Sequence, residues 1–118
     1  MAPKTILCIR HGESTFNAAW SVNPVDPLYF DAPLSELGRG QVSQARLALE
    51  RYPVEIVLTS PLTRALQTAH GLFEGHPNVP RIQVAPLLRE RVENSCDIGR
   101  APAALAEEFP SIDVSQLN

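Results

Sequence analysis

Residues 5–13 read TILCIRHGE, a short apolar run that ends abruptly in charged and polar residues. An aliphatic, isoleucine-rich run of this length favours a buried strand, and the glycine beyond it marks a loop. We therefore predict a strand over residues 5–9, with Cys8 in the core. The prediction places Arg10 and His11 where that strand meets the loop.

Further strand-like runs alternate with helical patterns along the rest of the chain, and a proline-rich stretch over residues 23–33 predicts a loop. β-Branched residues predict the strands, while apolar spacing, caps and prolines predict the helices. The predicted order after the first strand is a helix from Ser35 to before Pro53, a strand over 54–59, a helix over 63–73 with Ser60 as its cap, a strand over 81–85 and a helix over 102–109. Residues 111–118 show no assignable pattern. Strands separated by helices predict an α/β fold, a three-layer α/β/α arrangement around a mainly parallel sheet.

The composition excludes several classes of protein. The chain has 118 residues, 44% of them apolar and 19% charged, with a formal net charge of −3. This is a globular balance without the basic excess that drives general binding to nucleic acids or membranes. No apolar run reaches the length of about 18 residues that a membrane span needs. We expect a soluble, cytoplasmic protein, and the two cysteines show no disulfide or metal spacing.

The carboxyl ends of parallel strands meet at one edge of the sheet, where ligands bind. His11 follows the first predicted strand, and Arg64 lies in the first turn of the helix after the second. Arginine binds phosphate oxygens, and a neutral imidazole beside arginines keeps a lone pair that can attack phosphorus. Glu90, after the third predicted strand, is the candidate acid for the leaving oxygen. The pattern predicts an anion site with phosphoryl-transfer chemistry.

Several blocks of this chain resemble a known family, the histidine phosphatase superfamily, which is also called phosphoglycerate mutase-like. Residues 7–17, LCIRHGESTFN, closely resemble its Arg-His-Gly signature, and residues 59–69, TSPLTRALQTA, resemble its second block. The other similar segments are residues 34–38, residues 88–90, and residues 95–99 and 108–110, the last two resembling features of the fungal and plant mutase-like branch. The matches follow the family order, so the resemblance implies the phosphoglycerate mutase-like fold.

The resemblance also implies roles for individual residues. His11 would be the phosphorylated nucleophile, Arg10 and Arg64 would bind the phosphoryl group, and Asn17 would add a phosphate contact. Glu90 would act as general acid. The family uses neither metal nor cofactor for this chemistry, so the implied ligand is a small phosphorylated substrate or inorganic phosphate. Without the resemblance, the charged residues of this set also fit a solvated surface, and Asn17 fits a turn or cap.

One family feature is missing from the chain. The family carries a second pocket histidine in a Ser-His-Gly segment, on a strand well after the acid block. The dipeptide His70-Gly71 imitates that segment but falls within a predicted helix, and we expect His70 and His76 to be structural or solvent-facing. We therefore expect residues 1–118 to form a single incomplete domain without its C-terminal part. Exposed apolar surface and an open sheet edge would then favour self-association.

Three functions stay open on the sequence alone. The first is phosphohydrolase activity through a phosphohistidine, impaired by truncation. The second is an inactive remnant that binds phosphate or serves as an association partner. The third is phosphoglycerate mutase activity, which requires a retained and reoriented intermediate that these residues do not reveal.

Overall fold

A computed structural model describes residues 3–77 and 81–117. This part of the chain contains a parallel sheet of three strands, in which the second strand lies in the centre. The strands are β1 (Val57–Thr59), β2 (Ile82–Val84) and β3 (Ile112–Asp113). The predicted α/β fold with a parallel sheet is confirmed, although β1 and β2 are shorter than the runs that predict them.

The described residues also form four α-helices. They are α1 (Thr15–Val22), α2 (Glu36–Leu49), α3 (Thr63–Phe73) and α4 (Pro102–Glu108). Helix α3 contacts β1 and β2, and α2 packs on α3. The apolar face of α3 is buried as predicted, with Leu62 and Leu66 almost fully enclosed. No helix among the described residues is long and apolar enough to cross a membrane.

Helix α2 begins where predicted but buries less than predicted. Its cap is Ser35, whose hydroxyl accepts the N–H of Gly38 at 3.0 Å. Ala45 and Tyr52, predicted to face the core, are exposed, whereas Val42 is buried. The physical reason is that α2 lies outside α3 and ends at Leu49, before Tyr52.

Helix α1 and strand β3 have no counterpart in the predictions. Helix α1 begins with a capping box, in which Ser14 and Asn17 each accept the other's backbone N–H. The spacing Ser-x-x-Asn is the signal that could have revealed it. Strand β3 is only two residues long, which is too short for any periodic pattern, and it forms by pairing with β2.

The predicted strand over residues 5–9 is wrong. These residues form no strand and pair with none among the described residues, and their side chains are exposed. Ile6 is 83% exposed, and Cys8, predicted to lie in the core, is exposed as well. Strand propensity is expressed only when a neighbouring strand accepts the backbone hydrogen bonds, and the described chain offers no such neighbour here.

The start of α3 is held by a distant carboxylate and not by Ser60. The N-cap is Leu62, which makes no side-chain hydrogen bond to the helix. The carboxylate of Asp31 accepts the backbone N–H of Thr63 at 2.8 Å and its hydroxyl at 2.5 Å. Arg100 donates to the same carboxylate at 3.0 Å. Asp31 has a φ of +40°, in the left-handed region, which is unfavourable for a residue other than glycine. The side-chain contacts of Asp31 are therefore made from a strained backbone conformation.

Candidate active site

His11 is attached to α3 through its neighbour Gly12. The backbone N–H of Gly12 donates to the hydroxyl of Thr68 at 3.1 Å, which fixes the end of the N-terminal segment on the helix. The ring nitrogen Nδ1 of His11 lies 2.6 Å from the carbonyl oxygen of Gly12. A carbonyl only accepts, so Nδ1 carries the proton in this contact. The other nitrogen, Nε2, is left with a lone pair.

The lone pair of His11 faces Arg64. The Nε–H of Arg64 donates to Nε2 of His11 at 3.3 Å, and a guanidinium is never an acceptor. Both ring contacts therefore describe the same neutral tautomer. Its reactive nitrogen points at a cation that also suits the oxygens of a phosphate.

The pKa of His11 is lowered from its ordinary value of 6.5. Burial is the largest cause, because it disfavours the charged imidazolium. The hydrogen bond to Gly12 opposes this shift, while the positive charges of Arg64 and Arg10 reinforce it; the charge of Glu90 also opposes it. The net result is an imidazole that is uncharged at neutral pH, as a nucleophile requires.

Arg64 is the most heavily bonded residue of the site and is only 3% exposed. It lies in the first turn of α3, and helical side chains lean toward the N-terminus, so its guanidinium reaches the edge of the sheet. Its Nη1 donates to the carbonyl oxygen of Cys96 at 2.7 Å. Its Nη2 donates to Glu90 at 2.8 Å and to Asp97 at 3.0 Å.

The structure brings together three of the five residues singled out in the sequence: His11, Arg64 and Glu90. Arg10 is exposed, yet its charge contributes to the lowered pKa of His11. Asn17 is half-buried and its amide oxygen serves the α1 capping box, accepting the N–H of Ser14 at 3.0 Å. Its predicted phosphate contact stays a prediction.

Asp97 belongs to this cluster, but sequence reasoning missed it. It lies in a short 3₁₀ helix, Ser95–Asp97, and is 6% exposed. No local pattern reveals an aspartate whose partner, Arg64, is 33 residues away. The only signal was the resemblance of residues 95–99 to one branch of the family, which gives no role to the carboxylate.

The other two histidines lie outside this cluster. His70, on α3, lies 3.6 Å from the carboxylate of Glu74. His76 is buried, and its Nε2 lies 2.8 Å from the carbonyl oxygen of Leu49. In residues 3–77 and 81–117, no three His, Cys, Asp or Glu side chains are grouped so that they could hold a metal ion.

Comparison with protein families gives a match that covers most of the chain. Residues 6–116 match the model of the histidine phosphatase superfamily, branch 1. The chain belongs to this superfamily. The matched range begins before His11 and includes all the residues that meet around Arg64.

Individual relatives agree with this family. A probable phosphatase of Schizosaccharomyces pombe is 33% identical over 119 residues, which cover 93% of this chain and 51% of the relative. The phosphoglycerate mutase-like protein 1 of Arabidopsis thaliana is 35% identical over 99 residues, covering 78% of this chain and 35% of the relative. The chain thus spans about half the length, or less, of these relatives.

A solved structure shows the same fold. The mycobacterial glucosyl-3-phosphoglycerate phosphatase in complex with VO3 superimposes with a TM-score of 0.53 and 32% sequence identity. The superposition covers 85% of this chain and 44% of the mycobacterial one. The likeness therefore shows the fold of this chain and extends over less than half of the mycobacterial protein.

Proposed function

We propose that the protein hydrolyses a small phosphate monoester by way of a phosphohistidine at His11. The observation that carries this proposal is the tautomer of His11, whose unprotonated Nε2 lies 3.3 Å from Nε of the buried Arg64. A lone pair beside a fixed cation suits attack on an anionic phosphoryl group, which the cation also attracts. The relatives named phosphatases support the same chemistry.

The proposed reaction has two displacements. In the first, the Nε2 lone pair forms a bond to phosphorus while the phosphorus–oxygen ester bond breaks and its electrons leave with the alcohol oxygen. In the second, water attacks phosphorus and gives a proton to Glu90, the phosphorus–nitrogen bond breaks with its electrons returning to Nε2, and inorganic phosphate leaves. Arg64, assisted by the exposed Arg10, neutralises charge on the phosphoryl oxygens in both steps.

Glu90 is the proposed donor of the proton that the leaving oxygen takes up. Its carboxylate lies 2.8 Å from Nη2 of Arg64, and its side chain is 58% exposed. A phosphoryl group that binds Arg64 competes with this carboxylate for the same nitrogen. In this proposal the displaced carboxyl group of Glu90 lies beside the leaving oxygen.

Covalent labelling tests the nucleophile. The folded protein is mixed with 4-nitrophenyl phosphate and quenched in base, which preserves phosphohistidine, and its peptides are then weighed by mass spectrometry. We expect phosphate on the peptide that contains His11, none in His11→Gln, and normal labelling in the control His70→Gln. An unlabelled wild-type protein, or a labelled His11→Gln protein, would contradict the proposal.

A comparison of leaving groups tests Glu90. Nitrophenolate leaves without a proton, whereas an alkoxide needs one, so a lost acid slows only the hydrolysis of alkyl phosphates. We expect Glu90→Gln to reduce turnover of an alkyl phosphate by about 100-fold and that of 4-nitrophenyl phosphate much less. Equal losses for both substrates would assign Glu90 a role in binding alone.

An inactive phosphate-binding protein is the second candidate, and one observation favours it. The side-chain nitrogens of Arg64 already donate to His11, Glu90, Asp97 and the carbonyl of Cys96, which commits four of the five N–H groups of the guanidinium to the protein itself. Protection by inorganic phosphate against thermal unfolding, without labelling of His11, would support this candidate. Transfer of the label to a phosphoglycerate and not to water would support the mutase alternative.

A further inference from the structure

Arg64 binds two carboxylates that differ sharply in their surroundings. The side chain of Asp97 is 7% exposed and that of Glu90 is 58% exposed, although both accept from Nη2 of the arginine. A buried carboxylate beside a buried cation is held in one geometry, while an exposed one exchanges with solvent and ligands. The contact of Arg64 with Asp97 is therefore the lasting one, and its contact with Glu90 is the one that can exchange.

Asp97 is itself fixed by the backbone that precedes it. Its Oδ2 accepts the N–H groups of Glu93 and Asn94, each at 3.1 Å, which leaves Oδ1 directed at Arg64. Burial by itself raises the pKa of Asp97, but these two hydrogen bonds and Arg64 outweigh burial and lower it. The carboxylate is therefore ionised and has one oxygen committed to the arginine.

A second carboxylate anchors the segment that carries Asp97. Asp26, in the loop before α2, accepts the N–H of Ser95 at 2.8 Å and its hydroxyl at 2.5 Å. The same segment supplies the carbonyl of Cys96 that accepts from Nη1 of Arg64. Nη1 and Nη2 of Arg64 thus both donate to the segment that contains Cys96 and Asp97, and Asp26 holds that segment in place through Ser95.

We propose that Asp97 is a positioning residue, which holds the guanidinium of Arg64 in the plane that directs its Nε at Nε2 of His11. Glu90 is the exchangeable partner, whose place on the guanidinium the phosphoryl oxygens take. This inference rests on the proposed function, since it assigns Arg64 to phosphoryl binding. It adds a residue that touches neither the substrate nor the nucleophile.

The test compares Asp97→Asn with a matched control, Asp113→Asn. Asp113 also accepts a backbone N–H, from Ser115 at 2.9 Å, and also faces an arginine, Arg81 at 3.6 Å, but it lies in β3. Histidine-selective ¹H–¹⁵N NMR follows the titration of His11, and 4-nitrophenyl phosphate measures its rate of labelling. Thermal unfolding monitors the fold of both variants.

We expect the pKa of His11 to rise toward 6.5 in Asp97→Asn, because Arg64 no longer holds its charge against the ring. The labelling rate is expected to fall by about 100-fold, the scale of a misplaced catalytic contact. Asp113→Asn is expected to change neither quantity. A purely structural role for Asp97 would lower the unfolding temperature and leave the pKa of His11 unchanged, which would overturn the proposal.

If Asp97→Asn does not fold, Asp97→Glu carries the test, because it keeps the charge and displaces it by one methylene. We expect the pKa of His11 and the labelling rate of Asp97→Glu to lie between those of the wild type and those expected for Asp97→Asn. Wild-type values of both would overturn the proposal. The NMR titration needs no turnover. An unlabelled wild-type protein whose His11 pKa still depends on Asp97 would therefore refute the proposed function alone.

Discussion

Residues 5–9 and residues 81–85 are both predicted as strands, but only the second stretch forms one, strand β2. Ile82, in β2, is 4% exposed and pairs with strands on both sides, whereas Ile6 is 83% exposed and pairs with none among the described residues. The composition of the two stretches does not explain this difference. What differs is the presence of neighbouring strands and of α3 above them, so a β-rich sequence becomes a strand only where partners exist.

The largest expected effect comes from truncating the same residue type in each region. Ile82→Ala should lower the free energy of unfolding by about 2–5 kcal/mol, because it opens a cavity in the core. Ile6→Ala should change it by less than about 0.5 kcal/mol, as is usual for an exposed side chain. Urea unfolding followed by circular dichroism measures both. Similar losses in the two variants would mean that residues 5–9 are packed in solution.

A smaller effect is expected at the joint that holds α3. Asp31→Ala leaves the N–H of Thr63 and the guanidinium of Arg100 without their acceptor, at a cost of about 2–3 kcal/mol. The control Glu93→Ala removes a partner of Arg91 from an exposed pair and should cost less than about 0.5 kcal/mol. Equal unfolding midpoints for Asp31→Ala and the wild type would show that the start of α3 does not depend on this carboxylate.

His11 follows residues 5–9 and contacts Arg64 of α3, so its titration reports on how firmly the N-terminal segment is held to that helix. Because the folded-state pKa is below 6.5, the unfolded chain binds more protons in the interval between the two values. Stability from this group is therefore complete above about pH 6.5 and declines as the pH falls toward the folded-state pKa. We expect wild-type protein to lose more stability between pH 7.5 and pH 5.5 than His11→Gln. Thermal unfolding at the two pH values checks this, and parallel losses would mean that His11 is solvated.

The smallest effect is expected at an exposed ion pair between the N-terminal segment and the residues just before β1. Lys4 lies 3.3 Å from Glu55, with the two side chains 75% and 84% exposed. Exposed pairs of this kind add little to stability because solvent and salt screen them. Glu55→Gln should leave the unfolding midpoint unchanged at both low and high salt. A salt-dependent loss would show that this pair helps to hold the N-terminal segment.

Local signals predicted the parts of the fold that local physics determines. Helix α3 was predicted over its full length, because its apolar spacing is local to the helix, although its predicted cap, Ser60, was wrong. The Ser35 cap was predicted for the same reason. The strand over residues 5–9 was predicted wrongly, since whether a strand forms depends on neighbours that no local window contains.

The candidate site was predictable to a similar degree. Topology predicted that His11, Arg64 and Glu90 would meet, because all three follow strand-like runs at one edge. Asp31 and Asp97 escaped prediction, although they hold the start of α3 and its arginine. Both are single aspartates that act across more than thirty residues, and only the folded chain brings them to their partners.

The two cysteines differ in exposure, so the protein offers a single site for a thiol-reactive label. Cys8 is exposed and lies three residues before His11. Cys96 is buried, and that burial raises the pKa of its thiol to about 11, so it stays protonated and unreactive at neutral pH. A maleimide fluorophore will therefore attach to Cys8 alone. It would turn the wild-type chain into an optical reporter of what happens beside His11.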